Sequence, residues 1–403
     1  ALSDQDNMYA VHGIISDVYG NRPGIDWQGL IFDDAKPTSQ NHKLSLTGGT
    51  RETRYTASYS YSNDEGIMLQ SGLKRHNIRL RLSQRINNKL TVAANVNYNH
   101  ETTRGMGSLT ETSYFSRMQH IIQYRPTIGK NRDDYDLVLY QNDPIRDDES
   151  GNQMQNPIVS IENEKQSRLN KLAIFNGEAT YKITKDLTYK FSIGYRNKNF
   201  QQDLFYDFAS RQAINAGAPW GQRIQRDENS LTYNNVLTYN LKLPGNHIFD
   251  FMLGQEDYQF GQRFMTVKST NFPKENFGLD DMALGSTADL TQTGGFNERL
   301  ISFFGRVNYN LNQKYLATLS MRADASSKFG ANSKWGYFPS ASLAWRASEE
   351  DFIKNLDIFS NLKVRLSYGT AGNNRISAYR SLSNFSSSWQ PFLDQINISY
   401  YST

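Results

Sequence analysis

The chain has 403 residues, of which 44 are basic and 40 acidic, and it contains no cysteine. The missing cysteines exclude disulfide scaffolds, thiolate metal sites and cysteine catalysis, and the near balance of charge gives no electrostatic case for nucleic acid. No apolar run reaches the roughly 18 residues a membrane-crossing helix needs. Aromatic residues make up 13 %, with 24 Tyr and 22 Phe, in a chain that is polar on average. That combination fits β-structure, because Tyr, Phe and Thr suit a pleated surface that is wet on one face.

The chain opens Ala1-Leu2-Ser3-Asp4, with neither an initiator Met nor a charged-then-apolar leader. The expectation is a start inside a longer or processed protein. From there, two-residue alternation dominates. Tyr55, Ala57, Tyr59 and Tyr61 alternate with Thr56, Ser58 and Ser60, and Ile78, Leu80 and Leu82 with Arg79, Arg81 and Ser83. Leu90 to Asn99 repeats the pattern, as do Leu187 to Arg196, Leu231 to Leu241 and Ile301 to Leu311. Tyr315 to Met321, Ala341 to Trp345 and Leu362 to Tyr368 follow. About a dozen strands are predicted. Two segments read as helical: Thr112 to Gln123, within a loop, and a short helix through Phe352 and Ile353 behind a capping box at Ser348-Glu349-Glu350-Asp351.

Many runs exceed the common strand length of about 5–6 residues. About 11 residues at 3.3 Å each, tilted near 40°, rise about 28 Å, which matches the apolar band of an outer-membrane barrel. Short polar turns at Asn87-Asn88-Lys89, Thr184-Lys185-Asp186, Pro244-Gly245-Asn246 and Asn312-Gln313 alternate with long segments near 101–168, 200–228 and 258–298. Short turns on one side and long loops on the other are how such barrels are built. The predicted fold is all-β: an antiparallel transmembrane β-barrel with short periplasmic turns and long extracellular loops, in the bacterial outer membrane. The apolar set then faces lipid, and Arg79, Arg81, Lys190, Arg196, Arg306, Arg322, Lys363 and Arg365 face a watery lumen. Tyr98, Tyr181, Tyr239, Tyr309, Tyr315 and Trp345 fit interfacial girdles, or ordinary cross-strand packing.

The sequence holds little that resembles catalysis. The six histidines lack metal-ligand spacing, and His100-Glu101 has no second His to complete a zinc-protease helix. No Gly-x-Ser-x-Gly elbow is present, and Gly105-Met106-Gly107 lacks the third glycine of a phosphate loop. No enzyme and no cofactor are expected. The acidic runs Asp133-Asp134-Tyr135-Asp136 and Asp147-Asp148-Glu149 read either as loop calcium ligands or as a solvated surface.

Several stretches resemble the SusC-like, or RagA-like, TonB-dependent transporters of Bacteroidota outer membranes. They include Asp26-Trp27-Gln28, Gln40-Asn41-His42-Lys43-Leu44-Ser45-Leu46, Asn63-Asp64-Glu65-Gly66-Ile67, Arg125-Pro126-Thr127 and Asn156-Pro157. The most specific block runs from Phe304-Gly305-Arg306-Val307 through Arg322-Ala323-Asp324-Ala325-Ser326 and Trp335-Gly336-Tyr337-Phe338-Pro339 to Ser367-Tyr368-Gly369 and Gly372-Asn373-Asn374. One departure is Ala325, where the family carries Gly. The resemblance implies a barrel of 22 strands, of which this chain holds about 12, and residues 1–403 form part of one barrel domain. The plug that family carries and the closing strands are expected to lie outside this chain.

The resemblance also implies active import of an oligosaccharide or oligopeptide. A SusD-like lipoprotein covers the barrel, and a TonB-type protein pulls on the plug. In that setting Tyr114, Tyr206, Trp220, Tyr258 and Trp389, read as loop residues, are candidates for ligand or partner contact, or for packing of the loops on themselves. A passive porin or adhesin barrel without energy coupling is the alternative.

Overall fold

The structure, a computed structural model, describes residues 26–33, 36–105, 118, 121–122, 124, 157–273, 278–356 and 358–382. Twelve strands form one sheet in strict sequence order. They are β1 (Ser39–Gly49), β2 (Thr53–Glu65), β3 (Gly72–Arg85), β4 (Leu90–Arg104), β5 (Glu164–Lys182), β6 (Leu187–Tyr206), β7 (Trp220–Leu243), β8 (His247–Thr270), β9 (Thr287–Leu311), β10 (Tyr315–Ser326), β11 (Trp335–Arg346) and β12 (Lys363–Gly369). Every neighbouring pair is antiparallel. This is an antiparallel meander, the arrangement of a barrel wall. Among the described residues, β1 and β12 each keep one edge without a strand partner.

The register carries one apolar face across the whole sheet. Leu44 lies opposite Tyr59, Tyr59 opposite Ile78, and Ile78 opposite Tyr98. At the other end Val307 lies opposite Leu319, Leu319 opposite Ala341, and Leu343 opposite Leu366. Direct partners share a face because the side-chain period is two. Leu253, Leu319 and Leu343 on this face are 66, 62 and 61 % exposed. An apolar patch of that extent needs a non-aqueous environment.

The buried apolar residues sit elsewhere. Trp27, Ile31, Ile121, Tyr124, Val159, Ile161, Phe205, Tyr206, Ala213 and Phe272 cluster beyond the strand ends or at their outer tips, with Ala347 at the opposite end. Ile31, Ile121 and Ile161 form a small core, joined by Met68 and Leu69 from the β2–β3 connection. The sheet itself is therefore held by its hydrogen-bond ladders, which leave backbone groups satisfied inside hydrocarbon, rather than by a packed interior.

Turn chemistry explains the tight end. Asn87 Oδ1 accepts from the Lys89 and Leu90 amides, and Thr184 Oγ1 accepts from those of Asp186 and Leu187. Asn and Thr oxygens close turns in this way. Gly245 and Asn246 sit at φ 80° and 59°, and Asn312 and Gln313 at 53° and 58°. Paired positive φ values match the right-handed twist of the hairpin strands.

Several expectations change. The segments 200–228 and 258–298 are mostly strand: β7 and β8 have 24 residues each and β9 has 25. They rise well past the ~25 Å band, and above it both faces are polar, so the alternation fades although pairing continues. Tyr206, Trp220 and Tyr258 accordingly stand on strands, not in loops. The connections on that side shrink to 207–219 and 271–286. A helix at Asp351–Lys354 is present, but its N-cap is Glu350 without a side-chain cap bond. Ser348 instead donates its amide to the Leu362 carbonyl, so no capping box forms. The predicted helix at 112–123 falls largely outside the described residues, although Met118, Ile121 and Ile122 are helical. Tyr114, Trp389 and both acidic runs also lie outside them.

Two girdle residues have a partner of their own. Tyr315 and Trp345 are direct cross-strand neighbours. Tyr315 Oη and Trp345 Nε1 donate to Glu350 Oε1 at 2.6 and 3.2 Å, and Lys314 Nζ reaches Oε2 at 3.1 Å. These donors hold the Glu350 pKa down to about 2. A depressed carboxylate contributes stability that is present above its ordinary range and is lost as pH falls through the folded value. Acidification from about pH 4.5 to about pH 2 is expected to release residues 347–354 from the strand ends. Iodide quenching of Trp345 should rise over that window, whereas Glu350→Gln should show the quenched state at neutral pH.

Candidate functional site: the polar face and its outer mouth

The same register that collects the apolar side chains places a set of cations on the opposite face. Arg79 and Arg81 stand opposite Ser58 and Thr56 on one side and Asn97 and Asn95 on the other. Lys190, Arg196, Arg306, Arg322, Lys363 and Arg365 follow on β6, β9, β10 and β12 with the same parity. By register, these eight cations lie on one face of the sheet.

Carboxylates that the alternation did not single out accompany them. Lys190 Nζ lies 2.7 Å from Glu178, and Arg196 Nη1 3.5 Å from Glu228, which Lys198 also approaches at 3.9 Å. Arg322 is the centre of the densest group. Its Nε donates to Asp324 Oδ1 at 2.7 Å, and its Nη2 donates to Glu256 Oε1 at 3.0 Å and to Ser302 Oγ at 2.8 Å.

The local sequence makes this reach possible. Glu256, Ser302 and Asp324 are direct cross-strand partners on β8, β9 and β10, and the row beside them is Gly254, Phe304 and Arg322. Ser302 is fully buried yet small, so the Arg322 side chain crosses over β9 to β8. Phe304 lies beneath it, with its ring centroid 5.4 Å from the guanidinium carbon. That ring occupies the space a side chain at Gly254 would need: a Cβ there would meet Phe304 at 2.2 Å. A side chain at this position would force the Phe304 ring to move.

At the outer mouth, Tyr206 and Trp220 are direct partners with ring centroids 4.4 Å apart. Lys268 Nζ sits 4.9 Å above the Trp220 ring, and Trp220 Nε1 donates to the Gln212 carbonyl at 3.4 Å. Tyr206 is nearly fully buried; Trp220 is half-buried. Tyr258 belongs to the same polar face lower on β8, opposite Thr232. These three share the polar face, with Tyr258 well below the Tyr206–Trp220 pair, and Tyr206 faces protein rather than solvent. Among the described residues, no group of three or more His, Asp or Glu is placed to hold a metal ion.

Comparison with known proteins agrees with this architecture. A family model described as "TonB dependent receptor-like, beta-barrel" matches residues 114–398. The chain is 27 % identical over 409 aligned residues to TonB-dependent receptor P3 of Formosa agariphila, covering 98 % of this chain and 39 % of that protein. It is 28 % identical to TonB-dependent receptor SusC of Bacteroides thetaiotaomicron, over 87 % of this chain and 35 % of that one. The chain therefore spans well under half the length of these relatives. A solved structure of the RagAB peptide transporter superposes with a TM-score of 0.74 at 20 % identity, covering 100 % of this chain and 45 % of the other, a likeness of fold. This chain belongs to the TonB-dependent receptor-like β-barrel family of the bacterial outer membrane, a family of receptors and transporters rather than enzymes.

Proposed function

We propose that this chain forms part of the wall of an importer. It carries an oligosaccharide or oligopeptide across the outer membrane, with energy supplied by a TonB-type protein acting on a plug outside residues 1–403. A SusD-like lipoprotein covers the outer mouth. The observation that carries the reading is the continuous polar face, on which Lys190, Arg196 and Arg322 have carboxylate neighbours. Charges so arranged are stable where water reaches them and the apolar face meets lipid. That face lines the lumen, placing all eight cations along the path, with Trp220 and Tyr258 as contacts for ligand or partner. Among the described residues β1 and β12 each keep an unpaired edge, and in the membrane both edges are paired, since an open sheet edge in hydrocarbon costs several kcal/mol per unsatisfied group. The identity to SusC across 87 % of the chain supports both energy coupling and the lipoprotein partner.

The test uses the full-length protein in its native membrane. Uptake of the ligand that copurifies with it is expected to stop when the proton gradient is collapsed. Uptake that continues would replace this reading with a passive porin.

A further inference from the structure

On the apolar side of the wall, directly above the band, lies a polar groove with a volume of about 590 Å³. Its floor is one row of direct cross-strand partners: Asn197 on β6, Asn229 on β7, Gly261 on β8 and Asn297 on β9. The next row toward the membrane is Tyr195, Leu231, Gln259 and Arg299, apolar on β6 and β7 but polar on β8 and β9, where Arg299 pairs with Asp257 one row lower. The row away from the membrane brings Asn199, Asp227 and Arg263. Three features define what the groove accepts.

First, its floor consists of amides already held in fixed orientation. Asn197 Nδ2 donates to Asn229 Oδ1 at 2.6 Å, Tyr195 Oη donates to the same oxygen at 3.2 Å, and Asn199 Nδ2 donates to Asp227 Oδ1 at 2.5 Å. Preoriented amides and a carboxylate offer both donors and acceptors to a polyhydroxylated ligand. Second, Gly261 leaves the centre of the row open, and a Cβ there would lie 2.7 Å from Asn297 Oδ1. Third, Arg263 makes no ion pair within 4 Å among the described residues, although Asp227 stands directly opposite it on β7. Its exposed guanidinium is the cation lining the groove, a donor group that suits a phosphate. The groove's height matters as much as its chemistry. Sitting on the outside of the barrel, one row above the apolar face on β6 and β7 and above the Arg299–Asp257 pair on β8 and β9, it lies at headgroup level in the outer leaflet, away from the lumen.

We propose that this groove is a binding site for the phosphorylated sugar headgroup of an outer-leaflet glycolipid, with sugar hydroxyls on the amide row and phosphate on Arg263. The inference rests on membrane placement and is independent of what the barrel imports.

The experiment uses the full-length transporter in phosphatidylethanolamine nanodiscs with or without rough lipopolysaccharide, and reads retained glycolipid by native mass spectrometry. Wild type is expected to retain glycolipid, and Gly261→Leu to retain about tenfold less, a change of about 1.4 kcal/mol. Arg263→Gln is expected to lose phosphorylated glycolipid but to bind a phosphatase-treated preparation as wild type does. Heat-modifiable gel migration reports folding for each variant, and Arg263→Gln, an exposed-rim change, carries the test if Gly261→Leu misfolds. Equal retention by wild type and both variants overturns the proposal. So does wild type that shows no preference for glycolipid over phospholipid. A Gly261→Leu protein that changes its oligomeric state while keeping its glycolipid would reassign the groove to contact between copies.

Discussion

Placing an arginine at Leu319 is expected to destabilise the folded barrel by about 2–4 kcal/mol, the cost of a cation on the lipid side near mid-membrane. Leu319 is 62 % exposed on the apolar face, opposite Val307 and Ala341. Its neighbour Thr318 points to the other face, where Thr318 Oγ1 donates to Asn308 Oδ1 at 3.0 Å. Thr318→Arg loses that one bond and gains access to water, so its cost is expected to stay under about 1 kcal/mol. Reversible urea unfolding of the full-length protein in lipid bilayers measures both. Val96 and Asn97 form a second such pair on β4, with Asn97 Oδ1 accepting from Asn77. Similar costs at Leu319 and Thr318 would mean the two faces are not divided between lipid and water.

Gly254→Val is expected to be the most damaging single change on the polar face. The added side chain enters the space of the Phe304 ring, and overpacking of this kind costs about 1–3 kcal/mol. The displacement propagates, because Phe304 carries the Arg322 guanidinium, which in turn satisfies Glu256, Asp324 and Ser302. Phe304→Ala should relieve the clash. In a double-mutant cycle the pair is expected to couple by roughly 0.5–3 kcal/mol, as contacting residues do, and the double variant should be more stable than Gly254→Val alone. Strict additivity would show that Phe304 does not occupy the space beside Gly254.

The strands most legible from sequence are those whose two faces differ most. Ile78, Leu80 and Leu82 against Arg79 and Arg81 leave no doubt about period or side. β5 and β8 are harder to read because apolar residues also occur on the polar face: Leu172 and Ile174 on β5, Ile248 and Met252 on β8. The upper halves of β7, β8 and β9 are polar on both sides, so composition resembles a loop while the backbone remains paired. The cations of the polar face could be placed from alternation alone. Their partners could not, because Arg322 and Glu256 are 66 residues apart and meet only through the registers of β8, β9 and β10. The same holds for the amide row on β6 to β9, where four unremarkable residues become a surface only once four strands are aligned.

The strict meander has a consequence for assembly. Each strand meets its partner across a connection of modest length, except that β4 must find β5 across residues 105–163. Loop closure grows with the logarithm of length, so joining this pair costs about 2–3 kcal/mol more in chain entropy than closing the Pro244-Gly245-Asn246 hairpin. The ladder from Leu90–Tyr181 to Arg104–Ser167 returns that cost only after the ends have met. The chain thus divides kinetically into a four-stranded leading sheet and an eight-stranded trailing one, and the seam between them is where zipping is slowest.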